Sequence, residues 1–303
     1  MFSVRFWGVR GSIPCPGPET VIYGGNTACL EIRANNRLLI IDCGTGIRPL
    51  GVKLLSADYN KGPVDADIFI THTHWDHIMG FPMFTPIFIP QTKLRFHGPV
   101  SSDEETLESI IGTQLSYRYW PVTLGELAAK IEYCQIKETE LDLGAGLEVS
   151  TKYLNHPILC MGYRFDYQGK TIVTAYDHEP FRNVFPLDPQ DPSYNEDAAL
   201  EGEAAAKEEN DKVKSFFKNA DVLIHDTQYT SEELKTHLGW GHSSYDLAID
   251  TAVKAGVKKL VFFHHDPNRT DEQLEALEKN FQKETAGTGL DVIMAREGLT
   301  IEA

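Results

Sequence analysis

Between residues 68 and 81 the chain reads Ile-Phe-Ile-Thr-His-Thr-His-Trp-Asp-His-Ile-Met-Gly-Phe, which puts three histidines and an aspartate within six positions and apolar residues on both sides. Residues 67–71 carry the short apolar pattern of a buried strand, so the cluster begins where a strand gives out, the usual place for a site on a rigid frame. In an extended segment His72 and His74 point to the same side and can reach one ion, while Asp76 and His77 lie around the following turn and can serve another. A lone His-x-His is as often an ordinary hydrogen-bonding pair as a metal site. The run His72, His74, Asp76, His77 at a strand end, bracketed by core residues, points instead to two adjacent metal sites.

The rest of the chain is read as the frame for that run. Strand-like stretches at residues 2–7, 27–33 and 37–42, with a turn at Asn35-Asn36, predict a meander feeding one sheet. Residues 47–55 have helical apolar spacing, residues 81–90 carry three prolines among aromatics and read as an irregular loop, and a helix is expected from Asp103 with Ser102 as its cap. A second strand series is expected at 129–136, 147–154, 162–167 and 171–175, with Gln168-Gly169 as a hairpin turn. The pattern then alternates: helix near 198–218, strand 222–225, helix 244–255, strand 259–263, helix 271–283. Two strand-rich blocks, each followed by helices, predict an α/β fold in which two mixed sheets pack face to face with helices on the outer faces. Residues 1–303 are expected to form one domain, with an acidic insertion at about 179–211 that is either an exposed, solvated helical segment or a lid or subunit contact.

Hydrophobic residues make up 42% of the chain and no apolar run approaches the ~20 residues needed to cross a bilayer, so no membrane segment is expected. The first twelve residues lack the features of a secretory signal, and five scattered cysteines (Cys15, Cys29, Cys43, Cys134, Cys160) include no C-x-x-C pair. A cytoplasmic setting with reduced, mostly packing cysteines is therefore expected. The net charge of −16 would repel a long polyanion, because such affinity comes largely from neutralising phosphates with Lys and Arg. A small anion held by metals escapes that objection.

The His72-x-His74-x-Asp76-His77 run after a strand resembles the mark of the metallo-β-lactamase superfamily, and the resemblance spans nearly the whole chain. It implies the αββα sandwich. Asp42, in Ile-Ile-Asp-Cys-Gly-Thr-Gly, matches the aspartate that supports the histidine loop; His156, in Asn-His-Pro, matches the next metal histidine; Asp177 matches the carboxylate that bridges both ions; and His264 matches the last ligand, with His265 as its rival. The resemblance thus assigns His72, His74 and His156 to one ion, Asp76, His77 and His264 to the other, and Asp177 to both. A nitrogen and oxygen set suits zinc and also accepts manganese or iron. A cysteine common in the second site of classical β-lactamases is replaced here by Asp177, and the His-x-Glu of the flavodiiron branch is absent. His225-Asp226-Thr227 and Gly241-His242-Ser243-Ser244 are similar to motifs of ribonuclease Z and of the phosphoribosyl cyclic phosphate phosphodiesterases, as is the gap of 22 positions from His242 to His264. In those branches the histidine touches the phosphate and the acid orients it.

The expected function is a dinuclear metal-dependent hydrolase, a phosphodiesterase for a cyclic nucleotide or related small cyclic phosphate. Two cations sharing a water lower its pKa towards neutrality, and Asp76, His242 and Asp226 are the candidate catalytic groups. Hydrolysis of a carboxylic ester, lactone or thioester, as in glyoxalase II, is the alternative, and it leaves His242 and Asp226 unexplained. Transfer-RNA 3′ processing is disfavoured by charge, and binding of long nucleic acid is not expected. A homodimer is implied only by the resemblance. The segments 8–12 and 24–27 most simply mark tight turns, with Arg10 or Asn26 as candidate pocket residues, and Tyr117, Tyr119 and Trp120 are either core or a stacking platform.

Overall fold

The computed structural model describes residues 2–57, 59, 62–99 and 105–303. Among these the chain opens with β1 (Phe2–Gly8), β2 (Cys29–Ala34), β3 (Arg37–Ile41), β4 (Asp65–Phe69), β5 (Lys93–Gly98) and β6 (Lys130–Gln135). It continues with β7 (Glu140–Asp142), β8 (Leu147–Leu154), β9 (Cys160–Tyr167), β10 (Lys170–Ala175), β11 (Val222–Asp226), β12 (Lys259–Phe263) and β13 (Asp291–Met294), and ends on β14 (Thr300–Glu302). Two seven-stranded mixed sheets result, ordered β14-β1-β2-β3-β4-β5-β6 and β13-β12-β11-β10-β9-β8-β7. Each is antiparallel at one end and parallel at the other: β3 through β6 run parallel, as do β10 through β13.

Strict alternation along the strands produces the layers. In β3, Leu39 and Ile41 enter the core between the sheets while Leu38 and Ile40 lie under outer helices; in β12, Val261 and Phe263 face inward while Leu260 and Phe262 face outward. The helices covering the outer faces are α1 (Ile47–Leu54), α2 (Trp75–Ile78), α3 (Leu107–Thr113), α4 (Glu196–Phe216), α5 (Ser231–Leu234), α6 (Tyr245–Ala255) and α7 (Asp271–Glu284). Ser244 caps α6 by accepting from the Leu247 amide, and Gly256, at φ 70°, ends it. The fold is the αββα sandwich expected from the sequence.

Local readings are corrected in two places, and a third falls outside the described residues. The strand expected at 129–136 forms β6 but pairs with β5 in the first sheet, not with the second series. The 81–90 segment contains two single 3₁₀ turns, Phe81–Met83 and Thr85–Phe88, each with an early proline, and buries Phe81 and Phe84. The helix start expected at Ser102 and Asp103 lies outside the described residues; the described helix begins after Thr106, whose side chain accepts from Ser109 N in a capping box. The turn at Gln168-Gly169 is as expected, with φ of 52° and 74°, the left-handed pair that a two-residue hairpin loop requires.

Candidate metal centre

The carboxyl ends of β3, β4, β8, β10, β11 and β12 lead into one cleft at a common edge of the sandwich, where open α/β sheets usually place their sites. β4 leads to His72, His74 and the short helix α2 carrying Asp76 and His77; β8 leads to His156, β10 to Asp177 and β12 to His264. Donor atoms of His72, His74, His156 and Asp177 lie within 4.8 Å of one another, as do those of Asp76, His77 and His264. Around Asp177 Oδ1 the distances are close to uniform: His77 Nε2 at 3.3 Å, His264 Nε2 at 3.2 Å, His77 Nε2 to His264 Nε2 3.3 Å, and Asp76 Oδ2 3.2 Å from each imidazole nitrogen. Four donors about 2.0–2.1 Å from a zinc-type ion stand about 3.3 Å apart, so this spacing is that of a tetrahedral cage. On the other side, Asp177 Oδ2 is 3.4 Å from His72 Nε2 and 3.8 Å from His156 Nε2, which is 3.0 Å from His74 Nδ1.

What surrounds these rings fixes which nitrogen is free. Asp42 Oδ2 accepts from His77 Nδ1 at 2.7 Å, Gln228 Oε1 from His264 Nδ1 at 3.1 Å, and the Gly241 carbonyl from His156 Nδ1 at 3.0 Å. The Thr71 hydroxyl donates to Asp42 at 2.7 Å and accepts from His72 Nδ1 at 3.1 Å. Each Nε2 therefore presents a lone pair to other lone pairs and to carboxylates, an arrangement that a cation or extra protons must relieve. His72 Nε2 and Asp177 Oδ1 are buried with no hydrogen-bonding partner among the described residues. The residues present thus fit divalent metal ions, with Asp177 facing both donor sets. In the ion-free cluster, burial works against a charge on His77, but Asp76, Asp177 and Asp42 outweigh it and hold the imidazole well above its ordinary value.

Residues 22–112 match the model of the metallo-β-lactamase superfamily. Over 278 residues the chain is 28% identical to Ribonuclease Z of Lactococcus lactis subsp. cremoris (strain SK11), covering 79% of this chain and 83% of that one. The matched segment holds Asp42, His72, His74, Asp76 and His77, so this part of the candidate centre is similar to the metallo-β-lactamase superfamily. The chain is a metal-dependent hydrolase, with His and Asp donor sets that fit divalent metals. Among solved structures it superposes on the metallo-β-lactamase fold protein YhfI from Bacillus subtilis with a TM-score of 0.65 at 18% identity, covering 100% of this chain and 99% of that one. A diphosphatase from the PhnP family gives 0.64 at 15% identity, covering 100% and 98%; at such identities the likeness speaks for the fold alone.

Beside the seven donors sits a further pair. His242 Nδ1 lies 2.7 Å from Asp226 Oδ2, and its ring stacks on His264 with centroids 5.1 Å apart. Asp226 is itself fixed by amides of Gln228 at 3.0 Å and His178 at 3.3 Å. Burial opposes a charge on His242, yet Asp226, Asp177 and Asp76 raise its pKa to about 9. Bound ions would neutralise the last two carboxylates, which leaves Asp226 as the lasting partner. Donor atoms of Asp177, Asp226, His242 and His264 also lie within 4.8 Å of one another, so His242 reaches the same centre as the candidate ligands.

Ser12, Gln228 and Gly11 shape the centre without a role at the site read from the sequence, and Gly241 does so from within the motif that carries His242. Ser12 N donates to Asp76 Oδ2 at 2.8 Å through backbone alone, and Gln228 links Asp226 to His264. Gly11 and Gly241 are needed for close approach: a Cβ on either would overlap the ring of His264 or His156 respectively. The position of Gln228, two residues past Asp226, was the one available sequence signal. Other candidates lie elsewhere. His265 is fully buried, Nε2 2.9 Å from the Ala295 carbonyl. Arg10 directs Nε to the carbonyl of Gly24 and Nη1 to those of Asp266 and Arg269, and Asn26 bonds Glu297. Tyr117 donates its hydroxyl to Glu126, and Trp120 packs against the core under the first sheet.

Proposed function

We propose that the chain is a phosphodiesterase acting on a cyclic nucleotide or a related small cyclic phosphate, with two zinc ions, or manganese or iron, held by His72, His74, His156, Asp177, Asp76, His77 and His264. The observation that carries this reading is the His242–Asp226 pair, which reaches the centre without being needed for either donor set. When bound, the ions would supply an activated water and neutralise charge on the phosphoryl oxygens. Asp226 accepts from Nδ1 and so stabilises the imidazolium, whose Nε2–H is then available to a phosphate oxygen or to the leaving oxygen. Attack on a carbonyl needs no such donor, which weighs against the ester and thioester alternative. A ribonuclease reading has a relative named Ribonuclease Z in its favour, while the net charge of −16 counts against a grip on long RNA.

The test is His242→Ala. It is expected to retain both ions by elemental analysis while kcat for a generic aryl phosphodiester falls by about 10²-fold or more, with Asp226→Asn showing a smaller loss of the same kind. Turnover at the wild-type rate with the metals in place would remove the main support for a phosphodiesterase. Loss of an ion would instead make His242 a ligand. A panel of cyclic nucleotides, linear RNA and thioesters separates the substrate classes.

A further inference from the structure

On the His156 side, the centre adjoins a cavity of about 560 Å³ lined by Asn155, His156, Glu179, Arg182, Val184 and Gly241 among others. That volume falls in the ~300–1,000 Å³ range of small-molecule sites. His156 belongs to both, since its Nε2 faces Asp177 and its Nδ1 bonds the Gly241 carbonyl. One wall is the first part of the acidic insertion, and the way it is fastened matters. Glu179 is 2% exposed; its Oε2 accepts from the amides of Gly239 at 2.8 Å and Gly241 at 3.0 Å, and its Oε1 is 2.9 Å from Arg182 Nε. Arg182 thereby forms an ion pair with Glu179 through Nε, with no aligned hydrogen bond between the two atoms. Its side chain remains 48% exposed at the cavity, and neither Nη has a hydrogen-bonding partner among the described residues. A guanidinium held at a cavity by an ion pair, with both Nη donors unused, can grip a phosphate through them. In a chain of net charge −16, placing one beside a candidate metal centre favours an anion in this cavity over the rest of the surface.

We propose that this cavity receives the part of the substrate beyond the scissile phosphate, and that Arg182 binds a second phosphate carried there. The scissile part of this assignment rests on the phosphodiesterase reading. Metal-loaded wild type, Arg182→Gln and Arg182→Lys are titrated calorimetrically with adenosine 3′,5′-bisphosphate and with adenosine 5′-monophosphate. Wild type is expected to prefer the bisphosphate at least tenfold. Arg182→Gln should lose about 10- to 100-fold in affinity for the bisphosphate and much less for the monophosphate, the scale of a charge-assisted contact. Arg182→Lys should recover part of the preference, having the charge without the fork. No preference in the wild type, or equal weakening of both ligands in Arg182→Gln, overturns the proposal, the latter being what a residue that merely fastens Glu179 would give. A wild-type preference for the bisphosphate without cleavage of any aryl phosphodiester would sink the phosphodiesterase reading and leave the anion subsite standing.

Discussion

Asp42, Asp177 and His264 share a backbone state that side-chain-bearing residues avoid, with φ of 60°, 59° and 61°, and each stands one or two positions past a strand end at the centre. Such conformations cost on the order of 1–3 kcal/mol each and persist where the surroundings over-determine them. At β12 the positive φ separates two adjacent histidines: Phe263 faces the core between the sheets, His264 turns into the cluster, and His265 packs behind it with burial pushing its pKa down to about 3. His264→Ala is therefore expected to lose an ion, while His265→Ala should keep both ions and cost about 1–3 kcal/mol of stability for the buried group it removes. Loss of metal from a folded His265→Ala protein, seen by elemental analysis, would reverse the assignment. At this scale much was legible, because the six-residue histidine run, Asp177 and the His242–Asp226 pair are side chains with chemistry of their own. Glu179 was not legible, being one acid among many in an acidic stretch, and the Ser12 contact is made by backbone.

Among elements, legibility followed whether pairing is local. The β9–β10 hairpin announces itself through its turn, and β12 through an uninterrupted apolar run. β6 lies 32 positions beyond the end of β5 and pairs with it in parallel, so no local pattern says which sheet it joins. β5 has no local signature, because its Lys-Leu-Arg-Phe-His alternation puts charge where a central strand is expected to be apolar. The structure supplies the reason: Asp67, on β4, is 1% exposed and gathers Arg37 from β3 at 2.9 Å with Arg95 at 2.9 Å and His97 at 3.0 Å from β5. Burial alone would raise its pKa, but these partners pull it far below the usual carboxylate value. A depressed carboxylate contributes stability above its unfolded pKa of about 3.9 and loses it as pH falls from there. Asp67→Ala should thus lower stability at pH 7 by about 2 kcal/mol, less than a fully buried pair because both guanidinium groups are partly exposed, and the deficit should shrink below about pH 4. Urea unfolding at several pH values measures it; an undiminished deficit at low pH would mean the loss is packing and not charge.

For the whole molecule, the centre is also a fastening between the two sheets. His72, His74, Asp76 and His77 follow β4 in the first sheet, whereas His156, Asp177 and His264 follow β8, β10 and β12 in the second. Ions bound there bind the folded state alone, and at about 1,000 times the dissociation constant each would add about 4 kcal/mol. Elemental analysis after saturation should approach two ions per chain, and chelation should lower Tm by about 10 °C or more. The pH dependence of that drop follows from the cluster itself. Without ions, His77 is held well above its unfolded value by Asp76, Asp177 and Asp42, so its contribution is fully present below about pH 6.5 and is lost as pH rises through the raised pKa. Ligation runs the other way, because ions compete with those protons and bind more tightly as pH rises. Burial holds His72, His74 and His156 below their ordinary value, so they act in the opposite direction on the ion-free protein and the expectation is for the difference alone. The gap in Tm between loaded and ion-free protein should widen from pH 6 to pH 8, as His77 gives up the proton that competes with an ion. Scanning calorimetry with and without chelator at the two pH values decides it. A gap that stays constant or narrows, or a stoichiometry that stops at one ion, would show that Asp177 does not join two metal sites across the sheets.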